Sequence, residues 1–316
     1  MATYNIEPER RTLHGSFCRD FPPILTIEPG DTVRFRTLDA GWYLHPPDLS
    51  EGWNWSEKFQ PRDPERDAGH ALCGPVAIQG ASPGMTLEIE INEVRPAAWG
   101  WTVAGGWDSA ENRRLQVVEN GVAYCWTLDP DAMTGTNQHG HRVALRPFMG
   151  VMGMPPAEPG IHSTVPPRLT GGNLDCKELT AGVSLFLPIA VEGGLFSVGD
   201  GHARQGDGEV STTAIECPME RVTLTFHLHE GKPLTAPRAR TPEGWLTLGL
   251  HEDLNEASFL ALEAMLELMQ EQHALSRLDA LALASLTVDL RITQIVNRVR
   301  GVHAFLPHSA FEQTAQ

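Results

Sequence analysis

Two polar cassettes stand in the middle of this 316-residue chain: Gly-Gly-Asn-Leu-Asp-Cys-Lys-Glu at 171–178 and Gly-Asp-Gly-His-Ala-Arg-Gln-Gly-Asp-Gly-Glu at 199–209. Together they carry a histidine, several carboxylates, an Asn, a Gln and a Lys, with glycines at almost every bend. Apolar, strand-like residues at 183–191 and 195–198 flank the second cassette. An apolar framework buries unpaired charge only at high cost. Acids entered directly from such strands are therefore paired, metal-bound or lining a cleft.

The spacing inside the cassettes narrows the chemistry. His202 lies two residues from Asp200, and Asp175 two residues from Asn173; an i, i+2 pair in a strand or tight loop points to one face, as two ligands of one metal must. A three-ligand oxygen/nitrogen set from these residues leaves a position open for water, as catalytic zinc sites do. Solvated loop residues are the plainer reading of an isolated Asp-x-His. Glu209, read as standing at the mouth of a strand over 210–217, has the chemistry of a general base, with a salt bridge to Lys177 as its structural alternative. Lys177 itself is suited to polarising a carbonyl, or is a surface lysine. Cys176 beside Lys177 suggests a thiol nucleophile, but residues i and i+1 point apart in a strand, which is the wrong geometry. His139-Gly-His141 lies in a polar loop, and Asp129-x-Asp131 with Gly135 resembles the start of a calcium loop that no Glu closes.

The elements that must position these residues are mainly strands. Short apolar or alternating runs at 24–27, 32–37 and 85–91 follow Pro-Gly turns. One unit recurs at 28–35, 82–89 and 180–187, where a Gly turn precedes a Thr or Ser that opens a strand, as jelly-roll and barrel architectures do repeatedly. Segments 46–69 and 129–172 read as long ordered loops. The pattern changes near Glu252: residues 253–273 have helical spacing, Ser276 caps a second helix over 277–286 with Asp279 at its third position, and 287–296 fits either a strand or a helix extension. The chain therefore divides into a β-rich core over 1–230 that carries the cassettes, and a helical and mixed segment over 231–316 that completes the fold. The expected class is mainly β with α additions: a jelly-roll, β-sandwich or barrel-like core with C-terminal helices.

Composition excludes several functions. A net charge of −16 argues against a sequence-independent grip on nucleic acid or on an anionic membrane. Residues 1–20 are charged and lack an apolar signal core, and no run of about 20 apolar residues exists to span a bilayer. Five cysteines, odd in number and never in a Cys-x-x-Cys pair, fit reduced thiols in a cytoplasm better than a disulfide framework or a thiolate zinc site.

In order along the chain, the segments His70-Ala-Leu-Cys-Gly-Pro-Val, Pro147-Phe-Met-Gly-Val-Met-Gly, Gly171-Gly-Asn-Leu-Asp-Cys-Lys, Phe196-Ser-Val-Gly-Asp-Gly-His, Gln205-Gly-Asp-Gly-Glu and Val288-Asp-Leu-Arg-Ile-Thr-Gln-Ile-Val-Asn resemble the acetamidase/formamidase family. The resemblance runs from about residue 24 to about residue 306. It implies hydrolysis of short amides to ammonia and an acid, a β-rich fold, a homodimer or higher homo-oligomer, and a divalent metal, zinc foremost with calcium as an occasional companion. It carries over Asn173, Asp175, Lys177, Asp200, His202, Gln205, Asp207 and Glu209, and removes Cys176 and Glu178, where the family varies. On this reading Asp175, Asp200 and His202 hold the metal, with His70 and Asp207 beside them. Glu209 moves the proton, and Lys177, Asn173 and Gln205 complete the catalytic set. One departure bears on substrate: where longer formamidases carry an acidic Cys-His-Asp segment before His70, this chain has Leu38-Asp-Ala-Gly-Trp-Tyr-Leu-His, and Trp42, Trp53 and Trp55 stand to shape a different pocket. A lactamase acting on cyclic amides and a non-catalytic, cupin-like metal or ligand binder are the alternative readings.

Overall fold

The computed structural model describes residues 1–48, 54–231 and 233–311, so Trp53 lies outside the described residues. Strands dominate, in two large sheets. The first has nine strands in the order Thr3–Ile6, Thr32–Thr37, Met219–His229, Thr86–Pro96, Val183–Pro188, Arg238–Arg240, Gly244–His251, Arg300–Pro307 and Asp289–Gln294. The second runs Gly171–Asn173, Phe148–Gly153, Phe196–His202, Leu72–Ile78 and Leu13–His14, with Leu25–Ile27 also pairing to Leu72–Ile78. The two sheets share one apolar core, in which the rings of Phe196 and Phe226 meet edge to face with centroids 5.1 Å apart. Both sheets are open in strand order, so the sandwich is realised rather than the barrel.

Side-chain pattern explains the layering. Thr32–Thr37 alternates buried and exposed, as a strand with one wet face must. Leu72–Ile78, Phe148–Gly153 and Phe196–His202 are buried at every residue, so this sheet is covered on both faces. The recurring turn is real in conformation: Gly30, Gly84 and Gly182 take φ of 91°, 93° and 89°, a region that favours glycine. The strands they precede lie close together in the nine-stranded sheet.

The C-terminal helices form Leu254–His273 and Arg277–Thr287, capped by Asp253 and by Ser276, whose side chain accepts from the Asp279 amide. Ala257, Ala261, Met265 and Met269 face the Gly244–His251 and Arg300–Pro307 strands. Residues 287–296 resolve into the Asp289–Gln294 strand, and the strands beyond residue 230 extend the same sheet as those before it.

Two expectations are corrected. Residues 210–217 form turns, and the strand starts at Met219. The alternation of Val210-Ser-Thr-Thr-Ala-Ile imitates a strand, but Thr212 has φ of 67° and its amide turns back to the Glu209 carbonyl. Only Glu216 in this stretch makes ladder bridges, to Trp101 and His202. Nor is 129–172 a loop: it holds the hairpin of Thr134–Asn137 with Arg142–Ala144, and the central strand Phe148–Gly153. Met149, Met152 and Met154 are core. Asp129 accepts from the amides of Asp131 and Ala132, an Asx turn. Among the described residues no helix is long and apolar enough to cross a membrane.

Candidate active site

The site is assembled around the Phe148–Gly153 strand. On one side it pairs with Gly171–Asn173, on the other with Phe196–His202. Immediately past Asn173 the chain turns at Asp175, with φ of 47°, and the Asp175 amide donates to the Gly150 carbonyl. The pairs Met149↔Gly201 and Val151↔Gly199 leave Gly150 opposite Asp200, which has φ of 58°. Both carboxylates thus arrive over Gly150. An added Cβ there would stand 2.6 Å from Asp200 Oδ2, 2.8 Å from His202 Cε1 and 2.9 Å from Asp175 Oδ1. Only glycine leaves these three groups room to converge.

Two further acids complete the cluster. Glu216 comes from the loop bridged to His202, and Glu209 from the turn that ends the second cassette, with φ of 44°. Ligating atoms of Asp175, Asp200 and His202 lie within 4.8 Å of one another, as do those of His202, Glu209 and Glu216. None of the five side chains is more than 5% exposed.

The hydrogen bonds define what the histidine presents. Gln205 Nε2 donates to the Asp175 carbonyl at 2.7 Å, which turns Gln205 Oε1 toward His202 Nδ1 at 3.0 Å. Nδ1 must then carry a proton. In the neutral ring, Nε2 is a bare lone pair, yet Asp200 Oδ1 and Glu216 Oε2 lie 3.3 and 3.2 Å from it. Glu216 Oε2 and Asp175 Oδ1 have no hydrogen-bond partner among the described residues. Buried acceptors facing acceptors demand a cation, whether a proton or a metal. A donor amide behind the imidazole is also how metal-ligating histidines are held.

The electrostatics follow from four acids around one imidazole. Burial, reinforced by neighbouring carboxylates, lifts Asp175 and Glu209 well above the usual range, and burial raises Glu216 as well. Burial opposes charge on Asp200 too, but His202, and behind it His70, outweigh this and hold Asp200 low. For His202, burial opposes the imidazolium, while Glu216 and Asp200 override it and push the ring well up.

The remaining sequence candidates sit around this centre. Asn173 is buried; its Nδ2 donates to the Val165 carbonyl at 3.0 Å and its Oδ1 has no partner, so it offers an acceptor rather than an oxyanion donor. Lys177 and Asp207 pair with each other at 2.7 Å, both partly exposed, and belong to neither ligand group; it is Asp207, not Glu209, that takes the lysine. His70 is half-buried, with Nδ1 2.8 Å from Thr164 Oγ1, and is in no ligand group among the described residues. Trp42 is buried and its Nε1 donates to the Gly69 carbonyl, whereas Trp55 stacks on Tyr43 and meets Trp101 edge to face.

Two residues without a sequence-derived role join the site. One is Glu216. The other is Asn297, whose Nδ2 donates to Asp175 Oδ2 at 2.9 Å and Glu209 Oε2 at 3.4 Å from the turn between the last two strands. Asn297 ends a segment that carries the family resemblance, and that is its only signal in the sequence. A cavity of about 320 Å³ borders the cluster, lined by Tyr124, Trp126, Val143, Gln205, Glu209 and Ile215.

An open β-sandwich with a buried carboxylate–histidine centre thus defines the molecule. Residues 2–163 and 157–313 match the model of the Acetamidase/Formamidase family, and the chain belongs to that family. It is similar to the acetamidase of Mycolicibacterium smegmatis, 27% identical over 255 residues covering 63% of this chain and 61% of that one. It is also similar to the formamidase of Methylophilus methylotrophus, 25% identical over 250 residues covering 63% and 60%. The matches span about 60% of the length of these curated relatives. The crystal structure of an acetamidase from Bacillus halodurans superposes with a TM-score of 0.83 at 26% identity, covering 98% of this chain and 100% of that one.

Proposed function

We propose that this chain hydrolyses the C–N bond of short linear amides of the acetamide and formamide type, converting amide and water to carboxylate and ammonium. The observation that carries the reading is the convergence of Asp175, Asp200 and His202 over Gly150, with Glu209 and Glu216 grouped on the same histidine and a cavity of small-molecule size alongside. Family membership supports the same reaction class.

The donor set fits a divalent metal. Asp175, Asp200 and His202 would hold it, because their orphaned oxygen and bare Nε2 require a cation and because mixed oxygen and nitrogen donors suit zinc. Bound there, the ion supplies Lewis-acid polarisation of the amide carbonyl and acidification of water. The chain's own residues do the rest. Glu209, which burial lifts well above the usual carboxylate range, accepts the proton of the attacking water and returns it to the departing amine. Asn297 Nδ2, which donates to both Asp175 Oδ2 and Glu209 Oε2, orients the ligand carboxylate and the base against each other. Asn173 Oδ1 accepts an N–H of the substrate amide. Gln205 fixes the His202 tautomer, and the Lys177–Asp207 pair braces the two cassettes against each other.

A substrate panel from formamide and acetamide to bulkier and cyclic amides, read as ammonia or ring-opened product with and without a chelator, tests the proposal. Turnover of the small linear amides that chelation removes and zinc restores is expected. Binding of metal without turnover of any amide would leave a non-catalytic metal protein instead.

A further inference from the structure

The cassette that sends Asp175 into the centre sends its neighbour the other way. Cys176 Sγ lies 3.8 Å from Glu178 Oε2, and His303 Nε2, from the Arg300–Pro307 strand, lies 3.7 Å from the same oxygen. The three donor atoms fall within 4.8 Å of one another, and all three residues are buried, Cys176 and His303 completely. The turn that follows the Gly171–Asn173 strand parts the two neighbours: Asp175, with φ of 47°, serves the carboxylate centre and Cys176 this cluster.

The histidine is the second, independent sign of a ligand. Its Nδ1 pairs with Thr293 Oγ1 at 2.8 Å, while Nε2 has no hydrogen-bond partner. Burial pushes the ring down to about 4, so the imidazole is neutral, and the nitrogen facing Glu178 and Cys176 is free to act as a ligand. At 3.7 Å the Nε2–Oε2 separation is too long for a hydrogen bond. It is close to what a shared ion needs: zinc bond lengths at a tetrahedral angle set S, N and O donors about 3.3–3.6 Å apart.

We propose that Cys176, Glu178 and His303 form a second metal site, for a borderline-soft divalent ion of the zinc class. Thiolate and imidazole donors exclude calcium and magnesium, which take oxygen. The arginines nearby do not compete for the same atom. Arg146 and Arg291 stand 3.8 and 3.9 Å from Glu178 Oε1, leaving Oε2 to the cluster, and Lys177 is taken by Asp207. Thiolate and carboxylate together supply two negative charges for the dication, and binding releases the thiol proton to solvent. The ion ties residues 175–178 to the Arg300–Pro307 strand, and so fixes the backbone that holds Asp175.

Cobalt(II) separates this site from the carboxylate centre, because only a cysteine ligand gives an intense thiolate-to-cobalt charge-transfer band in the near ultraviolet. The full chain, stripped of metal and titrated with cobalt(II), should develop that band to one equivalent. Cys176→Ser should abolish it while cobalt uptake at the carboxylate centre continues. Cys217→Ser, at the cysteine beside Glu216, should keep it. His303→Ala should keep a thiolate but weaken cobalt binding at least tenfold. A folded wild-type chain that takes up cobalt without the band, or a band that survives Cys176→Ser, overturns the proposal. Because the wild-type titration alone can refute it, misfolding of a variant leaves the test intact, and neither result depends on amide hydrolysis.

Discussion

Gly150→Ala isolates the convergence of the site in one methyl group. Gly150 does not occupy the left-handed region, so alanine meets no backbone penalty, and any effect comes from the Cβ. That atom would lie 2.6 Å from Asp200 Oδ2 and 2.9 Å from Asp175 Oδ1, against an ordinary contact of about 3.4 Å or more. Both carboxylates and the His202 ring must therefore retreat by roughly 0.5–0.8 Å. Overpacking of this kind costs about 1–3 kcal/mol of stability. A displacement approaching 1 Å costs up to about 100-fold in rate. We expect amide turnover to fall roughly 10- to 100-fold, equivalent to about 1.4–2.7 kcal/mol of barrier, with a melting temperature lower by several degrees. The control is Gly206→Ala, in the same cassette, where a Cβ meets nothing within 4 Å. Ammonia release and thermal unfolding read both variants. If Gly150→Ala matches Gly206→Ala in both, the side chains do not converge over Gly150 and the geometry argued for the centre is wrong.

Three other outcomes follow from the same structure. Asn297→Ala, which removes the amide shared by Asp175 and Glu209, should lower metal affinity or kcat by about 10- to 100-fold; a change under twofold in both would remove Asn297 as the residue that orients them. Asp39 is lifted to about 6, chiefly by burial and against hydrogen bonds from Trp101 and Tyr43, so its folded state holds a proton more tightly than the unfolded chain. Its contribution is then present below about pH 4 and lost as pH rises through about 6, worth roughly 3 kcal/mol. Denaturant titrations at pH 4.5 and 7 should show a smaller difference in unfolding free energy for Asp39→Asn than for wild type; equal differences would contradict this. Leu278 and Leu281 on the last helix are 80% and 46% exposed, apolar surface suited to a second copy. If the chain forms a homodimer through this helix, sedimentation should find Leu278→Glu with Leu281→Glu monomeric, whereas an unchanged mass would place the contact elsewhere.

What the sequence made legible is what local physics encodes. The helix caps at Asp253 and Ser276, the turn glycines before strands and the density of acids at 171–209 each announce themselves within a few residues. The i, i+2 spacing of Asp200 and His202 did foretell a meeting, their side chains approaching to 3.3 Å. Partners delivered by register were not legible. Glu216 reaches His202 by a single bridge, and Asn297 reaches Asp175 across 122 positions of sequence. Lys177 and Asp207, drawn toward the chemistry by their cassettes, satisfy each other instead, because a half-exposed ion pair forms more easily than a buried lysine. The turns at 210–217 escaped because alternation of Val, Thr and Ile is common to strands and to turns whose hydroxyls bond back to the chain.

The division of labour within the acid cluster is the central claim, and paired variants test it most directly. Metal content and kcat should be measured together on Glu209→Gln and His202→Ala. The account predicts that Glu209→Gln keeps stoichiometric metal while kcat for a small amide drops by at least 100-fold, and that His202→Ala loses the metal of the carboxylate centre and activity together. Full turnover in Glu209→Gln, or undiminished metal in His202→Ala, would contradict it.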